Sequence, residues 1–122
     1  MNTRRIVLVT NDGDLKLNVK ISAMTLTKLN CQVTIDEAND LAEARRISAS
    51  PDVDMVIVDA TGGFSEVAGI ISSIRNEAGS RTKKVIALCG TDENRQDIFK
   101  AGCDSIFTKE EFRKAMNNIL QV

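Results

Sequence analysis

Residues 55–59 read Met55-Val56-Ile57-Val58-Asp59, four consecutive apolar side chains followed at once by an acid. A short unbroken run rich in β-branched residues is the pattern of a strand buried on both faces, as in parallel sheets covered by helices on either side. Working outward, Ile6-Val7-Leu8-Val9 and Val85-Ile86-Ala87-Leu88 repeat that pattern. Cys31-Gln32-Val33-Thr34-Ile35-Asp36 alternates apolar with polar, and Ile106-Phe107 is a short fifth run. Segments long enough for three or four helical turns separate them, roughly 14–29, 40–49, 64–78, 92–101 and 109–120.

Strand and helix alternate with no hairpin signal, which predicts an α/β fold: a doubly wound, five-stranded parallel sheet with five helices. The unbroken strands belong inside the sheet, and the alternating second and short fifth belong at its edges, so the order is 2-1-3-4-5. In that order the chain reverses between strands one and three, and open α/β sheets bind ligands beyond the strand carboxyl ends at such a point. The residues following Val9 and Val58 are therefore the place to look for chemistry. Thr108 to Glu111 is a capping box, Asp40 with Glu43 is a variant of it, and Gly102 suits a left-handed helix end. Phe112, Ala115, Met116, Ile119 and Leu120 form one apolar stripe on the last helix. The 92–101 segment has a meagre apolar face and is expected to be the loosest element.

A chain of 122 residues suits one domain, residues 1–122, and at that size about two-thirds of the unfolded surface can be buried without a disulfide or metal. Sixteen basic against seventeen acidic residues give a net charge of −1, which argues against binding nucleic acid or an anionic membrane by bulk charge. Arg4-Arg5 and Arg81-Thr82-Lys83-Lys84 read as solvated loop ends. With no histidine, Ser-His-Asp and Cys-His nucleophiles, imidazole bases and the usual zinc sets are excluded. Cys31, Cys89 and Cys103 are an odd number without C-x-x-C spacing, so they read as packing residues in a reducing compartment. No apolar run approaches membrane-span length and no secretion signal is evident, so a cytoplasmic location is expected.

After strand one comes Thr10-Asn11-Asp12-Gly13-Asp14, and strand three runs straight into Asp59. Asp12 and Asp59 would stand side by side at the mouth of the crevice. At ~5 Å and an effective dielectric near 20, two carboxylates repel by about 3 kcal/mol, so the pair calls for a cation or a shared proton. Mg²⁺, which takes one or two carboxylates with carbonyl and water oxygens, meets that demand. Lys109, directly after strand five, can reach the same crevice, and acids with a metal slot and one lysine make a phosphoryl-handling set. Each residue has a plainer reading beside this one. Asp59 and Asp12 could be turn or cap residues, Lys109 a solvated lysine, and Cys89 a small buried hydrophobe. The register of all three charged groups favours the site.

On these residues the chain resembles the receiver domain of two-component response regulators, over essentially its whole length, with flavodoxin-like topology. The resemblance implies that Asp59 is the phosphoacceptor, attacking a phosphohistidine or a small acyl phosphate. It implies that Asp12 and Asp59, with the backbone carbonyl of Thr61, hold Mg²⁺, and that Lys109 pairs with a phosphoryl oxygen. Partners would be a sensor histidine kinase or phosphotransfer protein, and a downstream protein target docking on the face made by 92–101, strand five and the last helix. Nucleic acid would not be bound directly. Activity would be limited to self-phosphorylation from a donor and slow autodephosphorylation.

The sequence departs from the family pattern in five places. Asn11 stands where an acid is usual, which makes it a doubtful metal ligand and weakens Mg²⁺ affinity by ~10- to 100-fold unless Asp14 substitutes. Cys89 holds the position of a Ser or Thr hydroxyl and is a weak donor. Ile106 replaces a switching aromatic. Glu110 after Lys109, and Ala60-Thr61-Gly62-Gly63 after Asp59, differ from the usual prolines. A phosphorylation-independent pseudo-receiver serving as an interaction module is therefore the alternative. A flavodoxin-like enzyme is a third, poorly served by 3% aromatic residues and by acids where a phosphate cradle is required.

Overall fold

Backbone pairing carries the apolar runs into one sheet. The computed structural model describes residues 2–10, 12–29, 31–38, 41–48, 50, 52–59, 69, 71–72, 84–89, 100 and 102–121. Strands β1 (Asn2–Val9), β2 (Cys31–Ala38), β3 (Met55–Asp59), β4 (Lys84–Cys89) and β5 (Ser105–Thr108) lie in the order β2-β1-β3-β4-β5, every neighbouring pair parallel. The expected order holds. β3 and β4 are buried almost throughout, whereas β2 begins with strict alternation and β5 is half-buried along its length. The described helices are α1 (Gly13–Lys28), α2 (Leu41–Ser48) and α3 (Lys109–Gln121). Of the expected helix 64–78, residues 69, 71 and 72 are described and helical, and of 92–101 only Lys100, also helical. The rest of both segments lies outside the described residues, as does the reading of 92–101 as the loosest element.

Strand periodicity divides the core into two layers. Ile6, Leu8, Met55, Ile57, Ile86 and Leu88 face one way, against Leu15, Val19 and Leu26 of α1 and Phe112, Met116 and Leu120 of α3. Val7, Val9, Val56, Val58, Val85 and Ala87 face the other way, with Ala44 of α2 and Ile71. Each fully buried side chain of this kind contributes about 1.5–3 kcal/mol of transfer free energy, so this packing fixes the strand register. The stripe expected on the last helix is the face α3 buries, with Ala115 partly covered at its margin.

α1 is anchored at both levels. The Asp12 carboxylate caps it, accepting from the N–H groups of Asp14 at 3.0 Å and Leu15 at 3.2 Å. At the start of α3, the N–H of Glu111 donates to Thr108 Oγ1 at 3.1 Å and the N–H of Thr108 to Glu111 Oε1 at 2.9 Å, the reciprocal capping box. Gly102 has φ 117°, the left-handed conformation expected of it.

One sequence reading is corrected. Arg4 and Arg5 are not loop ends but lie inside β1. Arg5 Nε donates to Asp36 at 2.6 Å and its Nη1 to Asp52 at 2.7 Å, while the N–H of Arg5 donates to Asp54 Oδ2 at 2.9 Å. These partners come from β2 and the approach to β3, far away in sequence, so the short basic pair gave no sign of them. Cys31, Cys89 and Cys103 form no disulfide and are buried, as expected of packing residues.

Candidate functional site

The site is assembled where β1, β3 and β5 end. β3 runs directly into Asp59, whose side chain is 7% exposed. β1 stops at Val9, Thr10 follows as a buried residue, and Asp12 is fixed by its cap on α1. β5 passes into α3 without a loop, which pins Lys109 at the first helical position and aims its stem at the crevice. The Lys109 ammonium donates to Asp12 Oδ2 at 2.9 Å and lies 3.2 Å from Asp59 Oδ2. The two carboxylates thus share one cation, which answers the repulsion expected of them.

The electrostatics follow from that geometry. The hydrogen bond from Lys109, followed by that from the Leu15 N–H, holds the Asp12 carboxyl below its usual range. Burial pulls the Lys109 ammonium downward, but hydrogen bonds to Asp12 and Asp59 outweigh it and the net direction is upward. Asp12 and Lys109 are therefore both charged across the neutral range.

The structure brings Asp12, Asp59 and Lys109 together. Cys89 closes β4 on the same edge of the sheet, in register with Thr108, and is buried in the second core layer. Asn11 and Thr61 lie outside the described residues, and so do Ala60, Gly62 and Gly63. Two further residues reach the site that sequence reading did not single out. Thr10 Oγ1 donates to Asp59 Oδ2 at 2.5 Å and accepts from the N–H of Asp12 at 3.1 Å. Its signal was slight: a hydroxyl follows the apolar run 6–9, two residues before Asp12. Arg113 Nη2 lies 4.0 Å from Asp12 Oδ2, and its signal was its place one helical turn beyond Lys109.

Among the described residues no group of three or more metal-ligating side chains is found. The donors that do converge are two carboxylate oxygens, already gathered around a positive charge. That set fits Mg²⁺, which keeps most of its waters and takes one or two carboxylates from protein. Asp12 Oδ1 is engaged in capping α1, so a cation bound beside it would meet Lys109 at Asp12 Oδ2. A flavin phosphate is disfavoured on the same ground: the N–H groups at the start of α1 are already occupied by the Asp12 carboxylate. A groove of about 380 Å³ between α1 and α3, bordered by Asn18, Ile21, Thr25, Arg113 and Lys114, is lined by none of Asp12, Asp59 and Lys109 and meets the site only through Arg113.

No family model matches the sequence, and no curated protein matches it. Solved structures do match. The receiver domain of a sensor histidine kinase from Pseudomonas aeruginosa, with a magnesium ion coordinated in its active site cleft, aligns with a TM-score of 0.80 at 19% identity, over 98% of this chain and 95% of that one. A signal receiver domain of a two-component histidine kinase from Clostridium thermocellum gives 0.79 at 17% identity, over 98% of each chain. The chemotaxis response regulator CheY4 of Vibrio cholerae gives 0.76 at 13% identity, over 98% and 100%. The chain has the receiver fold.

Proposed function

We propose that this chain acts as a receiver domain in two-component signalling, taking a phosphoryl group on Asp59 and passing the change on through protein contacts. The observation that carries this reading is the convergence of Asp12, Asp59 and Lys109 on one another at the carboxyl edge of the sheet. Asp59 is the nucleophile. An oxygen of its carboxylate bonds to phosphorus as the phosphorus–nitrogen bond of a phosphohistidine breaks, and the electron pair returns to the imidazole nitrogen, which takes up a proton. Lys109 is placed to follow the negative charge from carboxylate to phosphoryl oxygen. Asp12 and Asp59, with the Thr61 carbonyl, would hold Mg²⁺, whose positive charge offsets that of the phosphoryl oxygens when bound. With Asn11 beside them the affinity is weakened. The donor is a histidine kinase or phosphotransfer protein, and the receiving surface for a target is the 92–101, β5 and α3 face.

A second reading, the pseudo-receiver, is favoured by Cys89, a buried thiol where a hydroxyl would draw the following loop toward the phosphoryl group. One experiment separates the two. The reduced protein is titrated with Mg²⁺ and then beryllofluoride while its amide resonances are followed, with Asp59→Asn as control. Shifts that begin at Asp12 and Asp59 and spread to β5 support the phospho-switch. Wild-type spectra indistinguishable from the control leave the interaction module.

A further inference from the structure

We propose that Thr10 shortens the life of the phosphoryl group on Asp59, by a hydrogen bond that favours the free carboxylate over the acyl phosphate; this rests on the reading of Asp59 as acceptor. Thr10 is 6% exposed and has one rotatable bond to its hydroxyl oxygen. That oxygen accepts the N–H of Asp12 at 3.1 Å and lies 2.5 Å from Asp59 Oδ2. The amide can only donate, and an ionised carboxylate can only accept, so the threonine proton points at Asp59. A short hydroxyl-to-carboxylate contact is a charge-assisted bond, about twice as strong as one between neutral groups.

The consequence follows from where charge resides. A carboxylate carries a full negative charge shared by its oxygens. Once one oxygen bonds to phosphorus, the other is a carbonyl and a poorer acceptor. Hydrolysis reverses this: a water oxygen bonds to phosphorus, the bond from phosphorus to Asp59 breaks with its electron pair returning to the carboxylate, and the water proton leaves with inorganic phosphate. The Thr10 bond strengthens along that path and so stabilises the departing carboxylate. Lys109 also touches Oδ2, but its long stem lets it follow the phosphoryl group. Thr10, held by burial and by the Asp12 amide, stays with Asp59 Oδ2, the carbonyl oxygen of the acyl phosphate, and stabilises the charge that returns to it as the bond to phosphorus breaks.

The test uses the full chain as wild type, Thr10→Val, Thr10→Ser and Asp59→Asn. Each is incubated with phosphoramidate and Mg²⁺ and freed of donor, and loss of the phosphoryl mass is timed; Asp59→Asn should take up none, and uptake there overturns the acceptor reading. Thr10→Val keeps the shape and removes the donor, and its acyl phosphate should last roughly tenfold longer. Thr10→Ser restores the hydroxyl and should decay within about twofold of wild type, a rescue that a packing role alone would not give. A half-life in Thr10→Val equal to or shorter than wild type overturns the inference, and so does Thr10→Ser behaving like Thr10→Val. A wild type that takes up no phosphoryl group overturns the acceptor reading itself, and the inference with it. Should Thr10→Val fail to fold, Thr10→Ala is timed in its place and the same lengthening is required.

Discussion

Replacing Lys109 by Met would keep an unbranched stem and remove only the charge, leaving Asp12 and Asp59 facing each other with the half-exposed Arg113, 4.0 Å from Asp12 Oδ2, as the remaining nearby cation among the described residues. The two ammonium contacts, 2.9 and 3.2 Å, place the carboxylate oxygens no more than about 6 Å apart. At an effective dielectric of about 20 that separation costs about 3 kcal/mol of repulsion, and less distance costs more. Breaking a buried pair costs about 3–5 kcal/mol and an exposed one about 0–1. With side chains 23%, 26% and 7% exposed for Lys109, Asp12 and Asp59, the site lies between those limits. The variant should lose about 2–3 kcal/mol at neutral pH in the presence of a chelator. The deficit should shrink as pH falls, because a carboxyl facing a like charge takes up a proton more readily in the folded state than in the unfolded one. Mg²⁺ should stabilise the variant more than the wild type, since the lysine no longer competes for Asp12 Oδ2. Urea unfolding followed by far-ultraviolet circular dichroism is the assay, the chain having no Trp or Tyr to report by fluorescence. A loss below about 0.5 kcal/mol together with an unchanged Mg²⁺ increment would refute the shared-cation geometry.

Phe112→Ala removes a fully buried ring from the contact of α3 with the sheet, and should cost about 3–5 kcal/mol in the same unfolding assay. Thr108→Ala breaks the capping box of the helix that positions Lys109; it should cost about 1 kcal/mol, with Thr108→Ser recovering most of it. Asp12→Asn keeps an oxygen to cap α1 but loses the charge held by Lys109. The stability gap between wild type and Asp12→Asn, measured without metal, should be level through neutral pH. On the acid side the gap should close as pH falls below the ordinary carboxylate value of 3.8, through the lower native value of Asp12. On the alkaline side it should close only as pH rises beyond 10.5 and through the raised native value of Lys109. A gap already closed at pH 5 would show that Asp12 is not ionised by its partner.

Strand order was legible because burial on two faces and burial on one write different patterns, unbroken in Met55 to Val58 and alternating in Cys31 to Asp36. Asp59 and Asp12 were legible because strand ends mark the ligand edge of the sheet whatever the side chains do. Thr10 was passed over because its hydroxyl follows an apolar run, where threonine is an ordinary strand residue on propensity alone. Only the meeting of β1 with β3, Val9 beside Val58, places that hydroxyl against Asp59. Arg5 failed for a related reason: an exposed arginine and one held by Asp36 and Asp52 look alike until β2 and β3 are laid on either side of β1. Periodicity reports the face a residue turns to, and polar partnerships across strands need the register.

That distinction also bears on what the site can do. Its charged members sit on rigid ends: Asp59 on a central strand, Asp12 on a helix cap, and Lys109 at a strand-to-helix join closed by its own capping box. Rigid placement fixes the chemistry but provides no motion, so any signal must come from elements beside the site. Of these, β5 presents Ile106 half-buried against the second core layer, and β4 ends in a buried Cys89. Neither side chain offers the strong hydrogen bond to a phosphoryl oxygen that would bias two arrangements of the adjoining backbone. Under the proposed reading, the acceptor chemistry and its readout would thus be separable in this chain. Cys89→Thr, which supplies a hydroxyl at the edge of β4, should enlarge the beryllofluoride-induced shifts along β5 while leaving those at Asp12 in place. Unchanged shifts along β5 in that variant would show that the thiol is not what limits the coupling.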